Sequence, residues 1–284
     1  MGKINKKKKA ILVVSFGTSH AATRAGTIGA IEKDVAAAYP EYEVRRAFTS
    51  QKVIDILAHR DGIRVDNVRE AMNRLLEEGF REVIVQPTHI IKGIMNDEMM
   101  AVVEGFTDKF VKIEMGQPLL GRTEDYQNVT KAIMDQFTDM ENNEALILMG
   151  HGTGHQVNAV YTALERQFKQ RGHAHVFVGT VEAYPDIEAV MNKIELYDFQ
   201  KITLMPLMIV AGDHVIHDMA GEEDDSWKNL LAGAGYEVTC ILKGLGEIQA
   251  IRDIFLDHIA AARLKPGDDR RLYQAPVKKA SSVI

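Results

Sequence analysis

The chain has 284 residues, of which 46% are hydrophobic and 7% aromatic. This is enough to bury one large or two ordinary cores and is typical of a globular protein. The 34 lysines and arginines stand against 40 aspartates and glutamates, a formal net charge of -6, so no general attraction to nucleic acid or to an anionic membrane is expected. A single cysteine excludes an internal disulfide and a metal site built from several cysteines.

The N-terminal stretch MGKINKKKKAILVVSFG is basic and then apolar, an order that secretory signals share. Its apolar part is too short for a signal and is not followed by a small-residue cleavage site. No part of the chain approaches the roughly 20 apolar residues that span a bilayer. We therefore expect a first β-strand behind a lysine cluster, no membrane partner and a cytoplasmic protein.

Short β-rich runs alternate along the chain with stretches in which apolar residues recur three and four positions apart. This alternation is typical of a parallel sheet covered by helices. The predicted strands are residues 10–16, 42–48, 82–88, 112–118, 145–150, 175–181, 201–207 and 237–243.

The first four predicted strands resemble the last four. VVSFGTSH (13–20) aligns with LMGHGTGH (148–155), and FREVIVQPTHIIKG (80–93) aligns with FQKITLMPLMIVAG (199–212). We predict an α/β fold of two similar, doubly wound parallel-sheet domains that arose by internal duplication, with the active site in the cleft between them.

The predicted domain boundary lies near residues 121–128, which gives an N-terminal domain of residues 1–125 and a C-terminal domain of residues 126–264. Residues 265–284 contain two prolines and little apolar periodicity. They are predicted to form a flexible tail.

The two halves differ at the carboxyl ends of their strands, where open α/β sheets bind ligands. After the first strand, Phe16 in the first half corresponds to His151 in the second. After the second strand, Ser50 corresponds to Glu182, and the loop after the third strand supplies His214 in the second half. Two imidazoles and a carboxylate suit a divalent transition metal and leave coordination positions open. The alternative is that each is an ordinary hydrogen-bonded loop residue.

Other patterns are less specific. His155 follows two glycines and is expected to cap a helix or face solvent, while His217 has no counterpart in the first half. The glycines of SFGTS and GHGTG match no nucleotide-binding fingerprint, and a tight turn explains them. The remaining histidines form no constellation, although His89 lies beside the third loop of the first half: His20, His59, His89, His173, His175 and His258.

The segment MAGEEDDSWKNLL (219–231) has four consecutive acidic residues. We expect these acidic residues to lie at the N-terminus of a helix, where negative charge is favourable, and Asp225 or Ser226 to cap that helix. An acidic lip that concentrates cations near His214 is the alternative.

Several of these motifs together resemble the anaerobic cobalt chelatase family, the sirohydrochlorin cobaltochelatases. They are VVSFGTS, HGT after the fifth strand, GTVEAYP and MPLMIVAGDHVIHDMAGEEDDSWKNLL, and the resemblance covers about residues 9–264. It implies a class II chelatase fold with the tetrapyrrole in the cleft, and insertion of Co²⁺ into sirohydrochlorin in early-insertion cobalamin biosynthesis. Co²⁺ would be a substrate rather than a prosthetic group, and Fe²⁺, Ni²⁺ or Zn²⁺ are other ions that such ligands bind.

The resemblance also implies roles for individual residues. The metal ligands fall on His151, Glu182 and His214. An acidic residue after the third strand of the first half falls on Glu98, with Asp97 competing because the loop has extra residues. We predict His151 as the principal base for the pyrrole protons, with His214 and Glu182 delivering the metal and sharing proton removal, and Glu98 as a further catalytic residue.

Substrate-binding residues are expected at the strand ends of the first half. The predicted set is Ser15, Phe16, Thr18, His89 and Lys92, with Arg24 and Lys52 as further candidates for the substrate carboxylates. Arginine and lysine are expected there because the substrate is strongly acidic.

Two other classes of function remain open at this stage. One is a protein that binds or delivers a metal or a tetrapyrrole without turnover, and the other is a periplasmic-type binding protein with two α/β lobes. Within the enzyme class, the sequence leaves open the choice between Co²⁺, Fe²⁺ and Ni²⁺, and also whether the chain forms a homo-oligomer.

Overall fold

A computed structural model describes residues 8–263, which form two four-stranded parallel sheets. The first sheet has the order β2-β1-β3-β4 and the second β6-β5-β7-β8. The strands of the first sheet are β1 (Lys8–Ser15), β2 (Glu43–Phe48), β3 (Phe80–Pro87) and β4 (Lys112–Met115). Those of the second are β5 (Glu144–Gly150), β6 (Val176–Thr180), β7 (Lys201–Pro206) and β8 (Glu237–Cys240).

Helices connect and cover the strands. Those that precede β5 are α1 (Ala21–Gly26), α2 (Ile28–Ala38), α3 (Gln51–Asp61), α4 (Val68–Glu77), α5 (Ile94–Glu104) and α6 (Thr123–Met134). Those that follow β5 are α7 (Ala159–Gln170), α8 (Ile187–Ile194), α9 (Trp227–Gly233) and α10 (Gln249–Ala262). A π-helical turn spans Val215–Met219, and 3-10 turns span Gln156–Asn158 and Leu245–Glu247.

The duplicated α/β architecture is confirmed, because both sheets have the same parallel strand order and all eight predicted strands are present. The apolar part of the N-terminal stretch is the inner strand β1, flanked by β2 and β3. Strands β4 and β8 end earlier than predicted. Just past β4, Gly116 packs so closely on the buried Gln86 that a Cβ would lie 1.8 Å from its side-chain oxygen, and Pro118 has no N–H for a ladder.

Each sheet has two apolar faces, which explains why the inner strands read as continuous apolar runs. In β1, Ile11 and Val13 join a core that also contains Leu146 and Leu148 of β5. The opposite face of β1 packs in a separate core with residues of α4 and α5. The shared core therefore joins the two halves face to face.

The last helix, α10, packs against α2, β3 and β4 of the first half and against α6, which spans the predicted boundary. The buried ring of His258 links it there: Nε2 lies 3.0 Å from Asp125 Oδ1, and Nδ1 lies 2.8 Å from the Gln117 carbonyl. The predicted domain boundary near residue 125 stays a prediction. Helix α10 follows that boundary in the sequence but packs on elements that precede it.

None of the described helices is long and apolar enough to cross a membrane. The predicted flexible tail, residues 265–284, lies outside the described residues.

Candidate metal centre

Three loops at the carboxyl edge of the second sheet bring His151, Glu182 and His214 together. One potential ligand atom from each lies within 4.8 Å of the others. The two imidazole rings are 4.7 Å apart between centroids and nearly perpendicular. The Glu182 carboxylate lies 3.9 Å from His151 Nδ1 and 4.0 Å from His214 Nε2. Since Zn²⁺-like ions sit about 2 Å from nitrogen and oxygen ligands, the 4.0 Å between the Glu182 carboxylate and His214 Nε2 leaves space for one ion beside His151.

The glycines around His151 are required by the packing of this loop. A Cβ on Gly150 would lie 2.4 Å from the ring of Tyr161. Gly152 has φ of +87°, and a Cβ there would meet Thr180 at 2.8 Å. The Glu182 N–H donates to the His151 carbonyl at 2.9 Å, which fixes two of the candidate ligands to each other through the backbone. The histidine in this turn is thus held by its neighbours in a position beside the loop that carries Glu182.

Hydrogen bonds set which ring nitrogen of each histidine is free. The His151 Nδ1 lies 3.0 Å from the Gly152 carbonyl, and the His214 Nδ1 lies 2.7 Å from Asp218 Oδ2. Because both partners accept, we assign the proton to Nδ1 in each ring, which leaves the Nε2 lone pair for a metal. Asp218 lies in the π-helical turn that begins after His214.

Asp218→Ala is expected to weaken Co²⁺ binding by about ten- to a hundredfold, because removal of an outer carboxylate frees the ring of a ligating histidine. Titration with Co²⁺ in the absence of tetrapyrrole measures this. Asp218→Asn, which keeps an acceptor for Nδ1, serves as the matched control and should bind more tightly than the alanine variant. Equal affinity of Asp218→Ala and the unmodified protein would contradict the assigned role.

The predicted substrate-binding residues of the first half fall into two groups. Phe16 is 46% exposed at the end of β1. Ser15 and Thr18 are buried, and Ser15 Oγ accepts a hydrogen bond from Thr88 Oγ1 at 2.8 Å. Phe16 therefore fits the predicted role best, while Ser15 contributes to the internal structure of the loop.

The basic candidates also differ in their exposure and contacts. Arg24 is buried and donates to the Thr18 carbonyl at 3.0 Å, so its guanidinium braces its own loop, and its role towards a substrate carboxylate stays a prediction. Lys92 and Lys52 are exposed. The pKa of Asp213 is lowered, first by a hydrogen bond with His20 and to a smaller extent by the charges of neighbours that include Lys52. Lys52 therefore lies near the loop that carries His214.

His89 is enclosed between the first-half loops. Its Nε2 lies 3.3 Å from Thr49 Oγ1, and its buried Nδ1 has no hydrogen-bond partner among the described residues. Burial lowers the pKa of His89 to about 4. The ring is thus neutral near pH 7, and a role in substrate binding would rest on hydrogen bonding or packing rather than on positive charge.

The His89 pKa implies a pH dependence of stability. The pKa in the unfolded chain is about 6.5, so between pH 6.5 and pH 4 the unfolded chain binds more protons than the folded one. The stabilisation present above pH 6.5 is lost as the pH falls through this window. Between pH 7 and pH 5 we expect the unmodified protein to lose about 2 kcal/mol more than His89→Gln, measured by urea unfolding. If the unfolding free energies of the two proteins changed equally with pH, this expectation would be contradicted.

The two acidic candidates on α5 differ in their surroundings. The carboxylate of Asp97, in the first half, lies 3.7 Å from Nε2 of His155, in the second half. Glu98 is exposed and is not part of the group formed by His151, Glu182 and His214 among the described residues. The catalytic role of Glu98 stays a prediction, and the contact of Asp97 was not foreseen.

Exposed apolar side chains border the same edge of the two sheets. They lie in the loops or at the helix starts that follow β1, β3, β6 and β7, and they are Phe16, Ile94, Tyr184 and Ile216. Their exposure suits a large, flat apolar ligand. Only Phe16 was predicted, because the others have no distinctive spacing in the sequence.

Two smaller expectations can be settled. Ser226, rather than Asp225, caps α9 by accepting from the Asn229 N–H at 3.2 Å. His155 accepts from the Val157 N–H at 3.2 Å, as expected of a capping residue.

A family model for cobalt chelatase (CbiK) matches residues 9–263. The chain is 39% identical over 256 residues to a sirohydrochlorin cobaltochelatase of Salmonella typhimurium, covering 90% of this chain and 96% of the relative. It is 31% identical over 258 residues to the sirohydrochlorin cobaltochelatase CbiKC of Nitratidesulfovibrio vulgaris, covering 90% of each.

Solved structures show the same fold at lower identity. SirB from Bacillus subtilis with Fe³⁺ aligns with a TM-score of 0.61 at 15% identity, over 90% of this chain and 95% of that one. CbiX, described as the terminal enzyme of sirohaem biosynthesis in denitrifying bacteria, aligns with a TM-score of 0.53 at 18% identity, over 90% and 100%. From the family match and the two relatives, this chain belongs to the cobalt chelatase (CbiK) family.

Proposed function

We propose that this protein is a sirohydrochlorin cobaltochelatase that inserts Co²⁺ into sirohydrochlorin in the cleft between its two halves. The observation that carries the proposal is the meeting of His151, Glu182 and His214 from three separate loops, in a chain that belongs to the cobalt chelatase family. A tetrapyrrole and a divalent metal are its two substrates, and no prosthetic group is required.

The reaction replaces two pyrrole N–H protons by one Co²⁺ ion, so the site needs metal ligands and proton acceptors within reach of one another. Imidazole serves both purposes near neutral pH, since its neutral form binds metals and accepts protons. We assign His151 as the principal base, with Glu182 assisting and His214 holding the metal before transfer. The Nδ1 contacts leave an Nε2 lone pair on each histidine, so both rings can bind a metal or accept a proton.

The surroundings of the three side chains support a macrocycle as the second substrate. Phe16 projects from the first half, and Tyr184 and Ile216 are exposed in the loops that also carry Glu182 and His214. Apolar surface at the mouth and polar groups at the centre are typical of a site for a flat ring with acidic side chains. Lys52 and Lys92 are our candidates for binding its carboxylates.

The choice of metal depends on supply as well as ligands, because two imidazoles and a carboxylate bind several divalent ions. We propose Co²⁺ as the substrate metal, and Fe²⁺, Ni²⁺ and Zn²⁺ as ions that compete for the same ligands. We further propose a cytoplasmic location.

The test is anaerobic absorbance spectroscopy of sirohydrochlorin and Co²⁺, with and without the protein. The expected result is a faster change to the spectrum of the metallated ring in the presence of enzyme. Folded protein that binds Co²⁺ but does not accelerate insertion would contradict the proposal and favour metal or tetrapyrrole delivery.

A further inference from the structure

Two histidine–aspartate contacts cross the cleft between the halves. His20, after β1, lies 2.8 Å from Asp213, in the loop after β7. His155, after β5, lies 3.7 Å from Asp97, in the helix after β3. Each contact pairs a first-strand loop of one half with the third-strand segment of the other.

The internal duplication relates the two contacts. His20 and His155 are the last residues of the aligned segments VVSFGTSH and LMGHGTGH, while Asp97 lies four residues after Gly93 and Asp213 lies directly after the aligned Gly212. The contacts are therefore approximate counterparts, formed in opposite directions across the cleft. The same loops also approach each other at the two glycines. A Cβ added to Gly93 would lie 3.9 Å from Val157, and a Cβ added to Gly212 would lie 3.9 Å from Thr18.

Each contact is attached to a candidate metal ligand. Asp213 directly precedes His214, and His155 ends the glycine-rich loop that begins with His151. The first half supplies no member of the His151, Glu182 and His214 group, yet through His20 and Asp97 it touches both loops that carry the histidines.

We propose that the His20–Asp213 and His155–Asp97 contacts are two clasps by which the first half positions the two ligating histidines of the second. The inference rests on the proposed function, because it assigns His151 and His214 to the metal. His20 and His155 are positioning residues: they set the distance between the two imidazoles and do not themselves bind the ion.

The strength of such contacts predicts a modest effect. All four side chains are between a third and two thirds exposed, and exposed ion pairs contribute little to stability. Loss of a clasp should therefore leave the protein folded and weaken Co²⁺ binding by roughly two- to fivefold. Loss of both should be more severe, since both bear on one metal centre.

The experiment measures the Co²⁺ dissociation constant of the full-length protein without tetrapyrrole. His20→Asn and His155→Asn shorten the side chain, and asparagine at position 155 can still cap the turn that follows. His20→Gln and His155→Gln keep a donor at about the reach of the imidazole Nε2 and should restore most of the affinity. His59→Asn is the control, because that ring bonds to the Asp55 carbonyl of its own helix.

Weaker Co²⁺ binding by both asparagine variants, with rescue by glutamine and an unchanged urea midpoint, is the expected result. Unchanged affinity in both asparagine variants would overturn the clasps even if the unmodified protein binds Co²⁺ and inserts it. Binding of Co²⁺ without insertion would overturn the proposed function alone, and no binding by the unmodified protein would overturn both.

Discussion

Replacing His151 with alanine is expected to slow Co²⁺ insertion by about a hundred- to ten-thousandfold, the contribution typical of a positioned acid or base. The side chain lies among the three candidate ligands, and its Nδ1 contacts the Gly152 carbonyl, which leaves Nε2 to accept a proton. His151 is part exposed, and the variant should therefore fold normally. Anaerobic absorbance assays with varied Co²⁺ and sirohydrochlorin give kcat and KM separately.

His214→Ala is the companion variant and distinguishes metal binding from proton transfer. Loss of His214 should weaken Co²⁺ binding more than it slows the transfer of protons, so its defect should shrink as Co²⁺ is raised. The defect of His151→Ala should persist at high Co²⁺ if His151 is the principal base. Near-normal insertion by His151→Ala would exclude that role, and unfolding of either variant would mark the histidine as structural.

The architecture was predictable because its signals are local. Apolar runs such as AILVV and ALILM mark strands buried on both faces, and the recurrence of a glycine turn after each marks the repeat. The equivalence of Phe16 and His151 then placed one candidate ligand at a strand end. Since parallel strands share a carboxyl edge, Glu182 and His214 followed from the same reasoning.

Other features depend on contacts that the sequence does not encode locally. His20 and Asp213 are 193 positions apart, and only the packing of the two halves brings them together. The bond from His214 to Asp218 spans four positions, but the spacing is informative only once the segment is known to be helical. The choice between Asp97 and Glu98 likewise depends on how the start of α5 is rotated.

The packing of α10 across the predicted boundary likewise depends on contacts between residues that are far apart in the sequence. The amphipathic pattern of residues 249–262 predicts a helix with one apolar face, but not which half covers that face. In the structure Ile254 and Phe255 join the core that also contains Ile11 and Leu119 of the first half. The C-terminal helix thus ties the second half to the first.

His258→Ala is expected to lower the free energy of unfolding by about 1–3 kcal/mol for each of the two acceptors that lose their hydrogen-bond partner, the usual cost of an unsatisfied buried polar group. The His258 and Asp125 side chains are 0% and 2% exposed, and the ring also bonds to the Gln117 carbonyl. The alanine variant leaves the Asp125 carboxylate buried, with the Arg122 N–H still donating to its other oxygen. Urea unfolding followed by circular dichroism measures the loss.

A second variant separates the ion pair from the packing of the ring. Asp125→Asn combined with His258→Ala removes the buried charge, so the double variant should be less destabilised than the sum of the single ones. His59→Ala, on the exposed face of α3, is the control for loss of a histidine and should change stability little. An unfolding midpoint of His258→Ala equal to that of the unmodified protein would mean that α10 is held to the first half by its apolar face alone.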